Sequence, residues 1–150
     1  MARTGTHAVA IIIKDNKVAL IHRKKEGRDY WWFPGGGVED GEIPEEAVIR
    51  EVQEELSLVS KVEKLLFSVE SYPGGNKEPY LLCSVDDDKI ELGGPEKQRQ
   101  SKENWYAPQW VEFEKVGNLN LLPDKAKEQF LEKIRSQLKS PLDWFCNGVF

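Results

Sequence analysis

The chain has 150 residues and a net charge of −5, from 21 Lys and Arg against 26 Asp and Glu. That length suits one domain with one core, and five Trp, six Phe and four Tyr supply enough apolar surface to exclude global disorder. The acidic balance argues against a protein that coats DNA, whose phosphates demand a positive face. A small phosphorylated ligand stays open, because a bound cation can reverse the local sign. The longest aliphatic run, Ala8–Ile13, falls far short of the roughly 20 residues a bilayer needs. It is also too short for the apolar region of a signal peptide, so no membrane partner is expected. Cys83 and Cys146 are widely separated, with no CxxC, and His7 and His22 are too few for a His-rich metal site. A disulfide scaffold is therefore not expected, and a reducing, cytoplasmic setting fits.

In chain order, residues 7–13 and 17–24 read as two β-rich runs around Lys14-Asp15-Asn16-Lys17, a hairpin. Lys24 to Tyr30 reads as a charged loop, and Trp31-Trp32-Phe33 as a short aromatic segment. Pro34-Gly35-Gly36-Gly37 is expected to break regular structure. Pro44 suits the first position of a helix, with Glu45 and Glu46 complementing its positive end, and the helix runs to about Leu56. Val62–Val69 and Pro79–Val85 read as strands joined by a loop over 71–78. Asp86-Asp87-Asp88 makes a polar turn, and 93–104 is loop-like. Trp105–Phe113 reads as a strand interrupted at Pro108, and Asp124–Leu138 has helical spacing. The tail, 141–150, carries Trp144, Phe145 and Phe150 and is expected to dock on the domain or across a homodimer. No repeat or linker divides the chain, so 1–150 reads as a single α/β domain, a mixed sheet between helices.

The chemistry concentrates on the helix at 44–56. At about 100° per residue, Glu51, Glu54 and Glu55 share one arc, while Val48, Val52 and Leu56 occupy the neighbouring one. The helix can bury one side and present three carboxylates from its edge, with Glu54 and Glu55 expected to stand free of the core. Arg50 lies one turn from Glu54, at i,i+4 pairing distance. Upstream, Gly36 is followed after five residues by Glu42, and after seven more by Arg50-Glu51-Val52, then Glu54-Glu55 and, two residues on, Leu58. This pattern resembles the Nudix hydrolase signature, G-x5-E-x7-R-E-U-x-E-E-x-G-U, with U a bulky aliphatic residue. Matching its other eight positions by chance has odds on the order of 10⁻⁵ for this composition. Ser57 is the single departure, where the family usually has Gly. Gly suits a helix end that turns through the left-handed region; Ser either bears the strain or the helix ends another way.

The resemblance implies a Nudix-type α/β/α sandwich, with the box at 36–58, and hydrolysis of a nucleoside diphosphate linked to another moiety by water attack at phosphorus. It implies Mg²⁺ as cofactor, with Mn²⁺ a substitute. Glu54 and Glu55 match the principal metal-ligating carboxylates, and Glu51 a position that binds metal or acts as base. Arg50 matches the arginine that orients the glutamates, Glu42 the glutamate that braces the loop or contacts metal through water, and Gly35 a glycine whose carbonyl often binds the ion. Because the base varies across the family, Glu96 and Glu103 are alternatives to Glu51.

Outside the box, Arg23, Lys24, Lys25 and Arg28 form a basic patch that could meet a substrate phosphate. Trp31, Trp32, Tyr72, Tyr80, Trp105 and Tyr106 could stack on a base, though aromatic residues more often fill cores. Asn118 and Asn120 match the region where some relatives read a base edge. The substrate expected is a nucleoside triphosphate, oxidised forms included, as in the MutT-like branch. ADP-ribose or another nucleotide sugar is the alternative, for which Pro73 is a weak marker. A non-catalytic metabolite sensor is a further alternative, but such modules usually lose box glutamates and all four stand here.

Overall fold

The computed structural model describes residues 3–70, 73–90 and 104–137. Tyr72, Glu96, Glu103, Cys146 and the apolar tail fall outside those residues. Strand β1 (Arg3–Lys14) turns at Asp15 and Asn16 into β2 (Lys17–Lys25), as expected for the hairpin. Both turn residues have positive φ, the conformation Asp and Asn tolerate best among residues with a Cβ. The expected charged loop at 24–30 is only a two-residue turn, because β3 (Arg28–Trp32) pairs back on β2 from Lys25↔Arg28 to Ile21↔Trp32. The break expected over 34–37 is confined to Phe33 and Pro34, between β3 and the next strand. Strand β4 (Gly35–Glu39) pairs with β1 through His7↔Gly37, Ala8↔Gly36 and Val9↔Gly35. Glycines carry little intrinsic strand preference; here an already formed β1 edge supplies the hydrogen bonds.

Helix α1 (Pro44–Leu56) opens with Pro44 in its first turn, and the Ile43 N–H donates to Glu46 Oε1 at 3.0 Å. Strands β5 (Ser60–Glu70) and β6 (Lys77–Val85) follow as an antiparallel pair. Strand β7 (Asn104–Glu112) runs through Pro108 without interruption. Among the described residues it pairs only with β2, and an edge strand is where proline's missing N–H is tolerated. A short helix α2 (Phe113–Val116), strand β8 (Leu121–Leu122) and helix α3 (Asp124–Gln137) complete the described chain. None of the described helices is long and apolar enough to cross a membrane.

The strands form one curled, mixed sheet in the order β5-β6-β1-β2-β3-β8, with β4 also on β1 and β7 on β2. The β1–β6 and β3–β8 pairs are parallel. Strand β1 is buried on both faces, which explains its unbroken aliphatic run. Val9, Ile11 and Ile13 join the core cluster that includes Phe130 of α3, while Ala8, Ala10 and Ile12 join the one that includes Val48, Val52 and Leu56 of α1. Helices therefore cover both sides, as a sandwich requires. Cys83 is buried in the second cluster, and burial, assisted by the Glu63 charge, pushes its thiol up to about 12. At neutral pH it is a small apolar filler and no nucleophile.

Ser57 ends α1 in the left-handed region, φ 59° and ψ 33°, with its N–H donated to Gln53 O at 3.0 Å. The helix thus keeps the glycine-type ending, and Ser bears the conformational cost of about 1–2 kcal/mol. Glycine removes that cost but adds unfolded-chain entropy of about 0.4–1 kcal/mol. Ser57→Gly is expected to raise stability by up to about 1 kcal/mol, read as a rise of up to about 4 °C in the thermal midpoint. A fall in the midpoint would show that contacts of the Ser57 side chain outweigh the strain.

Candidate active site

The site is assembled where α1 passes over β4. The Arg50 guanidinium reaches off the helix and grips Glu42 with two bonds, Nε to Oε2 at 2.8 Å and Nη2 to Oε1 at 2.9 Å. Its Nη2 also donates to Gly37 O at 2.9 Å, and Nη1 to Glu51 Oε1 at 2.9 Å. The expected i,i+4 contact with Glu54 is present but longer, at 3.5 Å. Glu42 in turn accepts the Glu39 N–H at 3.0 Å. Arg50 therefore ties loop, strand and helix together, and its bond to Glu42 keeps the guanidinium firmly protonated, above its ordinary range.

The three helix carboxylates are not alike. Glu54 is half exposed, whereas Glu51 and Glu55 are buried, with 8% and 6% of their surfaces accessible. Glu55 does not stand free of the core as the helical wheel implied. Strand β4 packs over that edge, and the Gly35 N–H donates to Glu55 Oε1 at 3.3 Å. The close approach is possible because the strand carries no side chains there. A Cβ at Gly36 would collide with the Glu51 carboxylate, and one at Gly35 with the backbone of Ala8 and Val9.

A cavity of about 540 Å³ opens beside these carboxylates. Glu51, Glu55 and Gly35–Gly37 border it, and Trp32, Phe33 and Tyr106 contribute aromatic lining. Tyr80 lines it as well, with burial, then the Glu78 charge, holding its hydroxyl protonated. The other expected aromatics lie elsewhere. Trp31 stacks on His22 at 4.1 Å between ring centroids, and Trp105 meets the same imidazole edge-on. His22 Nε2 also lies 2.6 Å from Asp29 Oδ1.

No residue of the basic patch lines the cavity. Arg23 is buried, with its guanidinium carbon 4.3 Å from the Tyr106 ring centre and 5.1 Å from that of Trp32. Its Nη2 donates to Asn104 Oδ1 at 2.9 Å, while its buried Nε has no partner among the described residues. Lys24 lies over Trp105 and the exposed Arg28 over Tyr30, away from the cavity lining. Asn118 and Asn120 do not line the cavity either. Asn120 Nδ2 donates to Asp29 O at 3.2 Å, and the Asn118 N–H closes a turn onto Lys115 O. Pro73 belongs to the exposed turn at Gly74 after β5. Sequence reading did not single out Glu78, Leu122 and Pro123 as lining residues. No local spacing marks them; the sheet brings in Glu78 and Leu122, and Pro123 follows directly on β8.

Glu51 and Glu55 with backbone carbonyls are hard oxygen donors of the kind Mg²⁺ and Mn²⁺ prefer, so the donor chemistry fits a divalent ion. Among the described residues no three Asp, Glu, His or Cys side chains already converge as a finished ligand set. Bound water and backbone oxygen would complete the shell, as Mg²⁺ readily allows.

The NUDIX domain description matches residues 4–134, and the chain belongs to that family. It is 32% identical over 120 residues to an RNA pyrophosphohydrolase of Pasteurella multocida, covering 80% of this chain and 56% of that one. It is 53% identical over 76 residues to an ADP-ribose pyrophosphatase of Methanocaldococcus jannaschii, covering 50% and 44%. The chain thus spans about half the length of these curated relatives. A crystal structure of a MutT protein from Methanosarcina mazei superposes with a TM-score of 0.65 at 22% identity, covering 89% of this chain and 95% of that one. Nudix hydrolases generally use divalent metals.

The two glycines make separable demands. Gly35→Ala drives a methyl into the β1 backbone, which cannot yield, so its thermal midpoint is expected to fall by several degrees. Gly36→Ala meets only the end of the Glu51 side chain, and removing that chain in Gly36→Ala/Glu51→Ala should relieve the conflict. A double-mutant cycle by denaturant melts checks this, and strictly additive costs would show that Gly36 and Glu51 are uncoupled.

Proposed function

We propose that this chain is a divalent-metal-dependent pyrophosphohydrolase, one domain over 1–150, that cleaves a phosphoric anhydride of a nucleoside triphosphate, oxidised forms included. The observation that carries the reading is one cavity bordered by buried Glu51 and Glu55 and by Trp32 and Tyr106. A nucleotide needs both: oxygen donors for the cation on its phosphates and a flat apolar wall for its base.

In this reading Glu54, Glu55 and the Gly35 carbonyl would hold Mg²⁺, or Mn²⁺ in its place, with Glu51 a further ligand where another carboxylate serves as base. Bound there, the ion would neutralise the anhydride and make phosphorus easier to attack. Glu51 has its Oε1 committed to Arg50 at 2.9 Å, which leaves Oε2 to take the proton of the attacking water. A new P–O bond forms, the anhydride P–O bond breaks, and the departing phosphate leaves with the electron pair. Arg50 and Glu42 act by positioning, since a carboxylate held in one rotamer loses no orientation at the moment of reaction. Arg23, which packs against the cavity-lining Trp32 and Tyr106 and has no partner for its buried Nε among the described residues, is the basic residue retained as a substrate contact. Glu96 and Glu103 stay as alternative bases. ADP-ribose is the second reading, favoured by the 53% identity to the archaeal ADP-ribose pyrophosphatase over half of this chain.

The test is phosphorus NMR of nucleoside triphosphates, their 8-oxo forms and ADP-ribose, with Mg²⁺, with Mn²⁺ and with chelator. Turnover of a triphosphate that chelator abolishes is expected; ADP-ribose as the sole substrate would move the assignment to the second reading. Glu54→Gln and Glu55→Gln each keep side-chain shape but lose an anionic donor. Both are expected to cut kcat by about 100-fold or more, about 2.7 kcal/mol of barrier, with thermal midpoints close to the parent's. Near-normal turnover in both variants would show that these carboxylates do not hold the metal. Tight nucleotide binding with no hydrolysis of any compound would instead identify a sensor.

A further inference from the structure

The cavity floor carries polar groups that the proposed chemistry does not use. In the parallel β1–β6 register Val9 lies beside Tyr80, and in the antiparallel β1–β4 register Val9 lies beside Gly35. Two residues along, His7 lies beside Gly37, and its Nδ1 is 3.5 Å from Glu78 Oε2. The floor thus has two cross-strand rows, Glu78–His7–Gly37 and Tyr80–Val9–Gly35, and all six residues line the cavity. Each row runs from a polar side chain on β6 to a bare glycine on β4. The polar ends of the two rows therefore stand side by side, away from the glycine end and its carboxylates, where a base in the cavity can meet hydrogen-bonding groups at its edge. Glu78 is four-fifths buried, with 19% of its side chain accessible. It stands on a different element from Glu51 and Glu55, outside the Arg50 network. Tyr80, kept protonated beside it, supplies a donor, and the Glu78 carboxylate supplies two acceptor oxygens.

We propose that Glu78, with His7 and Tyr80 beside it, determines base specificity and selects guanine. The inference rests on the reading of this cavity as a nucleotide site. Guanine presents, in sequence along one edge, the O6 acceptor, the N1–H donor and the N2 amino donor. A carboxylate accepts from both donors at once, and a neighbouring hydroxyl or imidazole N–H meets O6. Adenine reverses the order, placing its N1 lone pair against the carboxylate. Uracil offers a single N–H between two carbonyls. In both cases a largely buried charge loses a partner, which is the strong form of discrimination.

The experiment is calorimetric binding of GMP, IMP and AMP to the full chain without metal, paired with kcat/KM for GTP, ITP and ATP with Mg²⁺. IMP differs from GMP only by the missing 2-amino group. GMP is expected to bind at least about tenfold more tightly than IMP and more tightly still than AMP. Glu78→Gln, which gives up one acceptor oxygen, should bring GMP down to the IMP value while leaving IMP nearly unchanged. Equal binding of GMP and IMP by the parent protein, or no binding of GMP, would overturn the inference without any variant. So would a Glu78→Gln that weakens all three nucleotides by the same factor. Guanine selectivity in binding with no turnover of any triphosphate would uphold the role of Glu78 while defeating the catalytic reading. Turnover with equal GTP and ITP constants would do the reverse.

Discussion

One guanidinium organises this molecule. Arg50 binds Glu42 through two hydrogen bonds, Glu51 through a third and the carbonyl of Gly37 through a fourth. Those partners belong to the loop before α1, to α1 itself and to β4, so a single planar donor fixes the distance between helix and strand. Lysine carries the same charge but cannot present the fork. Glu39 and Glu54 lie near the same cation, at 3.8 and 3.5 Å. One positive charge thus faces four carboxylates, with Glu55 buried close by on the same helix. Such a concentration of anionic oxygen is the electrostatic condition under which a divalent cation gains most from binding.

That clamp works only because β4 has no side chains where α1 crosses it. Gly36 lets the Glu51 carboxylate lie against the strand, and Gly35 lets the strand lie against β1. The two contacts are on opposite sides of the same three-residue segment. A larger residue would separate either the helix from the strand or the strand from the sheet. The absence of side chains also leaves open the volume that becomes the cavity. Packing, charge placement and ligand space are therefore set by one steric fact.

The parts of this arrangement differ in how far the sequence discloses them. Helix α1 is legible because its signals are local: Pro44 and two glutamates at the start, an apolar stripe, and Leu56 at the end. The carboxylate edge follows from the same periodicity. Glu55's burial does not, since a helical wheel gives direction and says nothing of what packs there. Strand β4 is hidden for a similar reason. Its glycines read locally as a break, and only pairing with β1 makes them a strand. Arg23 looks like a solvated loop charge among Lys24, Lys25 and Arg28, but strand alternation turns it inward under Trp32 and Tyr106. Exposure in β2 is decided by register with β3 and β7, which no short window of sequence contains.

The division between local and non-local information follows the division of labour. Apart from the alternative bases Glu96 and Glu103, the residues proposed for metal and proton chemistry lie within 35–55, on one strand, one loop and one helix held by Arg50. Much of the cavity's remaining lining, His7, Trp32, Glu78, Tyr106 and Leu122 among it, is scattered over five strands and joined only by the sheet. Substitution at those positions alters the shape and polarity of the pocket without disturbing the clamp, because none of them bonds to Arg50, Glu42 or Glu51 in the contacts described above. A fold built this way can keep its reaction fixed while its choice of substrate drifts. That is why the box is readable at a glance and the rest of the cavity is not: the box is written along one short stretch of chain, and the remaining lining in the register of strands.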